Sequence, residues 1–371
     1  MKLERLHYLD ALRAFAMYLG IVLHVCIPIL PWYEDYEMKE IYSIILLLIH
    51  GFRMPLFMLL SGFFAQMIIN RYGLIKFIDN RLRRIGLPYL VFVPLITILF
   101  IFTFFLGNIF VNWDSVNLTN EIKELEDSDE FSHGHLWFMY FLLIFTFLYS
   151  FLIYLSKKIN IRININYSLL AMMPIILIFL IFQPEEIISR PATDVSFFPH
   201  WSILGYYFGF FLFGALFFKL ENNGLSLIRS FSEKQKLFYW IPVVSFVVCI
   251  IISENKVYLL GEIFNFIYTW SSIFVLVLIA YKLINRHHNK IRYLSDASYY
   301  IYIIHIPFVI LFQGIFSRLE IYHFIKFVLI ISFVTIFSLI SYHYFVRNTF
   351  IGNLLNGKKS NEQMSAYEKE I

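Results

Sequence analysis

The sequence predicts an all-α polytopic membrane protein, a bundle of about ten transmembrane helices with both termini in the cytoplasm. Three observations predict it. Of 371 residues, 59% are hydrophobic and 20% aromatic, and mean hydropathy is +0.69, beyond what a soluble domain carries. The apolar residues gather into runs near the ~20 residues that cross a ~30 Å hydrocarbon core as a helix. Lys and Arg alternate in density between successive inter-span segments, as the positive-inside rule requires.

Hydropathy places the spans at 11–30, 41–62, 86–107, 135–155, 167–183, 200–218, 238–253, 259–281, 297–316 and 324–345. Irregular backbone is not tolerated against lipid, so helices must carry these runs. Pro28 and Pro31 punctuate the end of the first. With these ten spans, 22 of the 30 Lys and Arg residues fall on the side that holds both termini and six on the other; that bias makes the first side cytoplasmic. Residues 1–350 form the transmembrane domain, and the polar stretch 351–371 reads as a disordered cytoplasmic tail. The outer segments are acidic in contrast, most plainly at 117–135, where a solvated loop accounts for the charge. No short apolar run precedes a small-residue cleavage site, so no cleaved signal peptide is expected. Cys26 and Cys249 lie within apolar runs and predict neither a disulfide nor a metal site. Nothing in the pattern calls for nucleic acid, and oligomeric state is not encoded in it.

The first span, LDALRAFAMYLGIVLHVCIPI, carries Arg13 and His24, eleven positions apart. A charge near a helix centre costs roughly 2.5 to 3.5 kcal/mol on insertion scales, which makes ionisable residues here functional candidates. Three turns of ~3.6 residues make nearly eleven, so both side chains share one face, about 16 Å apart in depth. Snorkelling to the inner headgroups would account for Arg13 alone; it leaves His24 unexplained. Asp10, three residues before Arg13, can pair with it or cap the helix.

Further ionisable groups fall at similar depth on other spans. His50 and Arg53 lie in the outer half of the second, and His133 and His135 begin the fourth beside Trp137 and Tyr140. His305 lies near the middle of the ninth, which Asp296 is expected to cap. Trp137 and Tyr140 fit an aromatic belt. No pair has the i, i+4 spacing of a helical zinc motif, so no metal is expected. Imidazole suits a general base, since its pKa near ~6.5 lets it take a hydroxyl proton at neutral pH. Buried charges also mark transport pathways, and an exporter of a glycan or small anionic solute is the alternative reading; it calls for paired halves with interrupted helices, which the sequence does not display.

LDALRAFAMYLGIVLH, with ten residues between Arg13 and His24, resembles the first-helix motif of the membrane-bound acyltransferase family 3. RLRR, Arg81 to Arg84, is similar to that family's inner Arg-x-x-Arg, and PLFMLLSGFF, GHLWFMYFLL and SYYIYIIHIPF resemble further blocks in the family's order. The GHLWF form resembles the glucan succinyltransferase-like branch. The resemblance implies an O-acyltransferase of a bacterial inner membrane, moving an acetyl or succinyl group from cytoplasmic acyl-CoA to an envelope carbohydrate or glucan outside. It implies acyl-CoA as a substrate, with no permanently bound cofactor. It maps the catalytic histidine onto His24, the first-helix arginine onto Arg13 and donor binding onto Arg81 and Arg84. Guanidinium groups suit CoA phosphates through charge-assisted bidentate bonds, although ordinary inner-loop charge would also place them there. Arg13 would line the donor's path or hold Asp10. The roles of His50, Arg53 and His135 stay open between oxyanion stabilisation and holding the acceptor, and Trp137 and His305 are further substrate-binding candidates.

Overall fold

Apolar runs surrounded by lipid have to satisfy every backbone N–H and C=O internally, and these do so as helices. The computed structural model describes residues 6–27, 39–109, 133–160, 164–184, 191–220, 228, 237–254, 257–284, 288–317 and 319–356, with no strand among them. The acidic stretch 110–132 and residues 357–371 lie outside the described residues. In chain order the helices are α1 (His7–Val25), α2 (Lys39–Tyr72), α3 (Leu74–Arg81), α4 (Leu87–Ile109), α5 (Trp137–Lys158) and α6 (Ile165–Ile181). Then follow α7 (Trp201–Lys219), α8 (Ile241–Glu254), α9 (Tyr258–Leu283), α10 (Asn289–Ser317), α11 (His323–Ser341) and α12 (Phe350–Asn356). Among the described residues, eight helices are long and apolar enough to cross a membrane. Two shorter apolar helices, Ile165–Ile181 and Phe238–Ile252, occupy the positions of the fifth and seventh expected spans.

Three boundaries differ from the hydropathy reading, each for a local reason. Arg81 to Arg84 do not lie in a loop: α3 continues through a π-turn, Leu82–Gly86, directly into α4. Charge lowers hydropathy without breaking the helix, and an Arg83–Asp79 ion pair of 2.8 Å at i, i+4 supports it. Asp296 does not cap its span. The α10 helix starts at Asn289, so Asp296 is interior and faces Arg292 at 3.9 Å. Residues 350–356, at the start of the expected tail, form α12, with Leu355 buried and Gly352 packed on the Val346 carbonyl.

The packing that positions the site uses small residues and freed carbonyls. Where α2 crosses α7, a β-carbon on Gly62 would overlap the Phe211 carbonyl and one on Gly214 the Leu59 carbonyl, so only glycine permits this backbone approach. Pro55, inside α2, lacks the N–H that would bond the Gly51 carbonyl four residues earlier. Thr269 of α9 takes that carbonyl instead, its hydroxyl donating at 2.8 Å. The α1 helix is fixed to α10 at both ends: Ser295 Oγ donates to the Asp10 carbonyl at 3.3 Å, and Gln313 Nε2 donates to the Ile27 carbonyl at 3.1 Å.

Candidate active site

Two polar regions lie at opposite ends of α1. At its N-terminal end opens a cavity of about 1320 Å³, walled by α1, α2, α3, the π-turn, the start of α4, α5, α10 and α12. Its lining carries six cations, Arg13, Arg71, Lys76, Arg81, Arg83 and Arg84, against Asp10, Asp79 and Asp296. Two of the acids are engaged with lining arginines, Asp79 with Arg83 and Asp10 with Arg13 at 3.8 Å. Arg81 donates through Nη2 to the Ser61 carbonyl at 3.3 Å, and Tyr299 donates to the Arg84 carbonyl at 3.0 Å. Neither Arg81 nor Arg84 has a carboxylate partner among the described residues. The net positive potential and the deep apolar wall of Met17, Phe57, Phe64 and Phe138 suit an anionic ligand with an extended, less polar arm.

At the other end of α1, three helices bring imidazoles together. The His24 ring lies 5.1 Å from that of His305, and His305 lies 5.4 Å from His135, centroid to centroid. His50 and Arg53, one turn apart on α2, are within electrostatic reach of His24. Arg53 enters over Gly20: a β-carbon there would sit 2.6 Å from its Nη1 and 3.8 Å from His305 Nε2. Glycine at this position therefore makes the room in which guanidinium and imidazole meet α1.

Hydrogen bonds fix two of the tautomers. His305 is 1% exposed, and its Nδ1 faces the Tyr302 carbonyl at 2.7 Å and that of Ile301 at 3.2 Å. A carbonyl only accepts, so Nδ1 carries the proton and Nε2 holds a lone pair. That Nε2 is buried and has no partner among the described residues. His135 Nε2 faces the Ile303 carbonyl at 2.9 Å, so here Nε2 carries the proton and Nδ1 the lone pair. Arg53 is 8% exposed, with Nε unpartnered and Nη2 reaching only Met54 Sδ at 3.5 Å. No carboxylate neutralises it among the described residues, a costly state for a buried cation unless an incoming group compensates it.

The aromatic pair Phe57–Phe138, perpendicular with centroids 4.3 Å apart, separates the two regions. Phe138 then touches Tyr302 at 5.7 Å, and Tyr302 touches the rings of His135 and His305 at 5.9 and 6.1 Å. Neither Tyr302 nor Gly20 carries the charge or the imidazole that marks the other site residues in the sequence. Only their spacing, three residues before His305 and four before His24, marks them.

The remaining expected residues stand apart. Trp137 is buried against Phe141 and Tyr207, at 4.9 and 5.4 Å, outside the imidazole cluster. Tyr140 donates to the Phe197 carbonyl at 2.8 Å. His133 faces away from His135: its Nδ1 shares a hydrogen bond with the Tyr89 hydroxyl, and burial holds its pKa below the ordinary range against the opposing pull of Asp194. Among the described residues no three His, Cys, Asp or Glu side chains converge as metal ligands.

The sequence has counterparts among known proteins. The chain is 24% identical over 383 residues to glucans biosynthesis protein C of Escherichia coli O1:K1 / APEC, covering 96% of this chain and 95% of that protein. The same identity and coverage hold for glucans biosynthesis protein C of Escherichia coli strain K12. No solved structure matches the chain. The family model described as an acyltransferase domain matches residues 6–343, from the turn before α1 to just past the end of α11, so it takes in the imidazole cluster and all of the cationic cavity except the wall given by α12. The chain accordingly belongs to the acyltransferase-3 family.

Proposed function

We propose that the protein transfers an acyl group, acetyl or succinyl, from cytoplasmic acyl-CoA to a hydroxyl of an envelope glucan or related carbohydrate outside a bacterial inner membrane. The observation that carries this reading is the division along α1. Arg13 lines a cationic cavity at one end, His24 joins an imidazole cluster at the other, and an aromatic pair stands between. The Lys and Arg bias makes the arginine side cytoplasmic. Counting the two shorter apolar helices as spans gives ten crossings with both termini inside.

In this reading Arg81 and Arg84 hold the phosphates of CoA, and its pantetheine arm runs along Met17 and Phe57 toward Tyr302. His24 accepts the proton of the glucan hydroxyl as its oxygen bonds to the thioester carbonyl carbon. The charge that develops on the carbonyl oxygen falls to Arg53, a buried donor already in place. The intermediate then breaks its C–S bond, and the proton on His24 passes to the departing sulfur, which leaves as the CoA thiol. The products are the glucan ester and free CoA, and His24 returns to its neutral form.

The test is purified full-length protein in lipid nanodiscs, given labelled acetyl- or succinyl-CoA and an envelope glucan. Labelled ester in the wild type that His24→Ala abolishes is the expected result. Transfer that survives His24→Ala unchanged removes the assigned base. Glucan flux into proteoliposomes without acyl-CoA, and no ester, would overturn the enzymatic reading in favour of export.

A further inference from the structure

The α10 helix contains Pro307, two residues after His305. Proline has no N–H, so the carbonyl four residues earlier, that of Ile303, loses its helical partner. An unsatisfied carbonyl inside a membrane bundle needs another donor. It finds one on a different helix: His135 Nε2 lies 2.9 Å from it. Among the described residues no hydrogen bond to His135 Nδ1 is formed.

We propose that Pro307 is a positioning residue for acyl transfer: the Ile303 carbonyl it frees fixes His135 as the Nε2–H tautomer, leaving its Nδ1 as a lone-pair acceptor beside His24 and His305. This rests on the acyl-transfer reading for its catalytic consequence. The structural part stands on geometry alone. Because His305 is also fixed with a lone pair at Nε2, two imidazoles of the cluster each carry one acceptor nitrogen. Acceptors hold hydroxyl donors and repel a developing oxyanion. The proline therefore assigns His135 to a neighbouring hydroxyl of the sugar, since the reacting one gives its single proton to His24, and leaves the oxyanion to Arg53. Pro55 provides an internal contrast, since its freed Gly51 carbonyl goes to the Thr269 hydroxyl, which has no tautomer to set.

Full-length protein labelled with 15N-histidine in nanodiscs reads the tautomers in the resting state, so the result does not depend on which reaction the protein performs. The His135 signals are identified by their loss in His135→Gln. The wild type should show a protonated Nε2 and an unprotonated Nδ1. In Pro307→Ala the new amide N–H competes for the Ile303 carbonyl, and His135 should shift toward a mixture of tautomers. Pro55→Ala should leave those signals unmoved. In the transfer assay, Pro307→Ala should lower kcat roughly 10- to 100-fold, the scale of a misplaced catalytic group, with KM for acyl-CoA unchanged. A second pair of variants avoids the backbone altogether. His135→Asn keeps a carbonyl oxygen near the Nδ1 position and should retain more activity than His135→Gln, whose amide reaches only the Nε2 position. A protonated Nδ1 in the wild type, identical His135 signals in Pro307→Ala, or a Gln variant more active than the Asn variant would each overturn the proposal.

Discussion

Arg13 and His24 stand on one helix, yet the cavity around Arg13 and the cluster around His24 are held by different kinds of bond. On the arginine side, long flexible side chains line an open cavity, and its ion pairs run between neighbours on one helix, Arg83 with Asp79 and Arg13 with Asp10. On the histidine side, the short rigid rings of half-buried His135 and buried His305 are tied to backbone carbonyls of α10. The difference teaches what each region can do. Flexible guanidinium groups can follow a large charged ligand as it enters and leaves, at modest energetic cost per contact. Rings whose tautomers are set by the backbone are preorganised for one geometry, which is what proton transfer needs.

Variants on the two sides should separate kinetically. The largest effect belongs to His24→Ala, which should lower kcat by about 10²- to 10⁴-fold, the range for a general base, in single-turnover assays with donor affinity unchanged. Arg53→Met comes next. Losing a preorganised oxyanion donor costs about 10²- to 10³-fold in kcat, and Arg53→Lys should recover only part because Lys lacks the planar fork. Equal rates for Arg53→Met and wild type would remove Arg53 from the chemistry. On the arginine side, Arg81→Ala or Arg84→Ala should raise KM for acyl-CoA with little change in kcat, by about 1.5 to 3 kcal/mol per charge-assisted bond. That increase should shrink at high salt, because phosphate contacts in an open cavity are screened; a kcat effect without a KM effect would erase the contrast. The smallest effect is expected at Trp137→Phe. Its side chain packs against Phe141 and Tyr207, so thermal unfolding should shift by about 1 kcal/mol while KM for the glucan stays put.

The helical class was legible because hydropathy and charge alternation are one-dimensional signals, and so was the shared face of Arg13 and His24. Boundaries were less so wherever charged residues continue a helix, as at Arg81 to Arg84 and in the start of α10. Hydropathy falls there, while hydrogen bonding does not. Trp137 reads from sequence as a belt residue because it opens a span; only the arrangement of α5 and α7 shows it buried. The meeting of Arg53 with Gly20 and His305 is a matter of tertiary packing and leaves no local trace. The proline in SYYIYIIHIPF was visible, but its consequence depends on His135, 172 positions earlier.

The perpendicular pair Phe57 and Phe138 bears on the membrane itself. A bundle with an open cationic cavity at one end of α1 and titratable rings at the other is one short gap away from being a pore for protons or anions. With both rings buried, at 6% and 2% exposure, that gap is lined by hydrocarbon, which offers an ion no ligand. Substituting alanine at both positions should turn a sealed bundle into one that dissipates a pH gradient in liposomes.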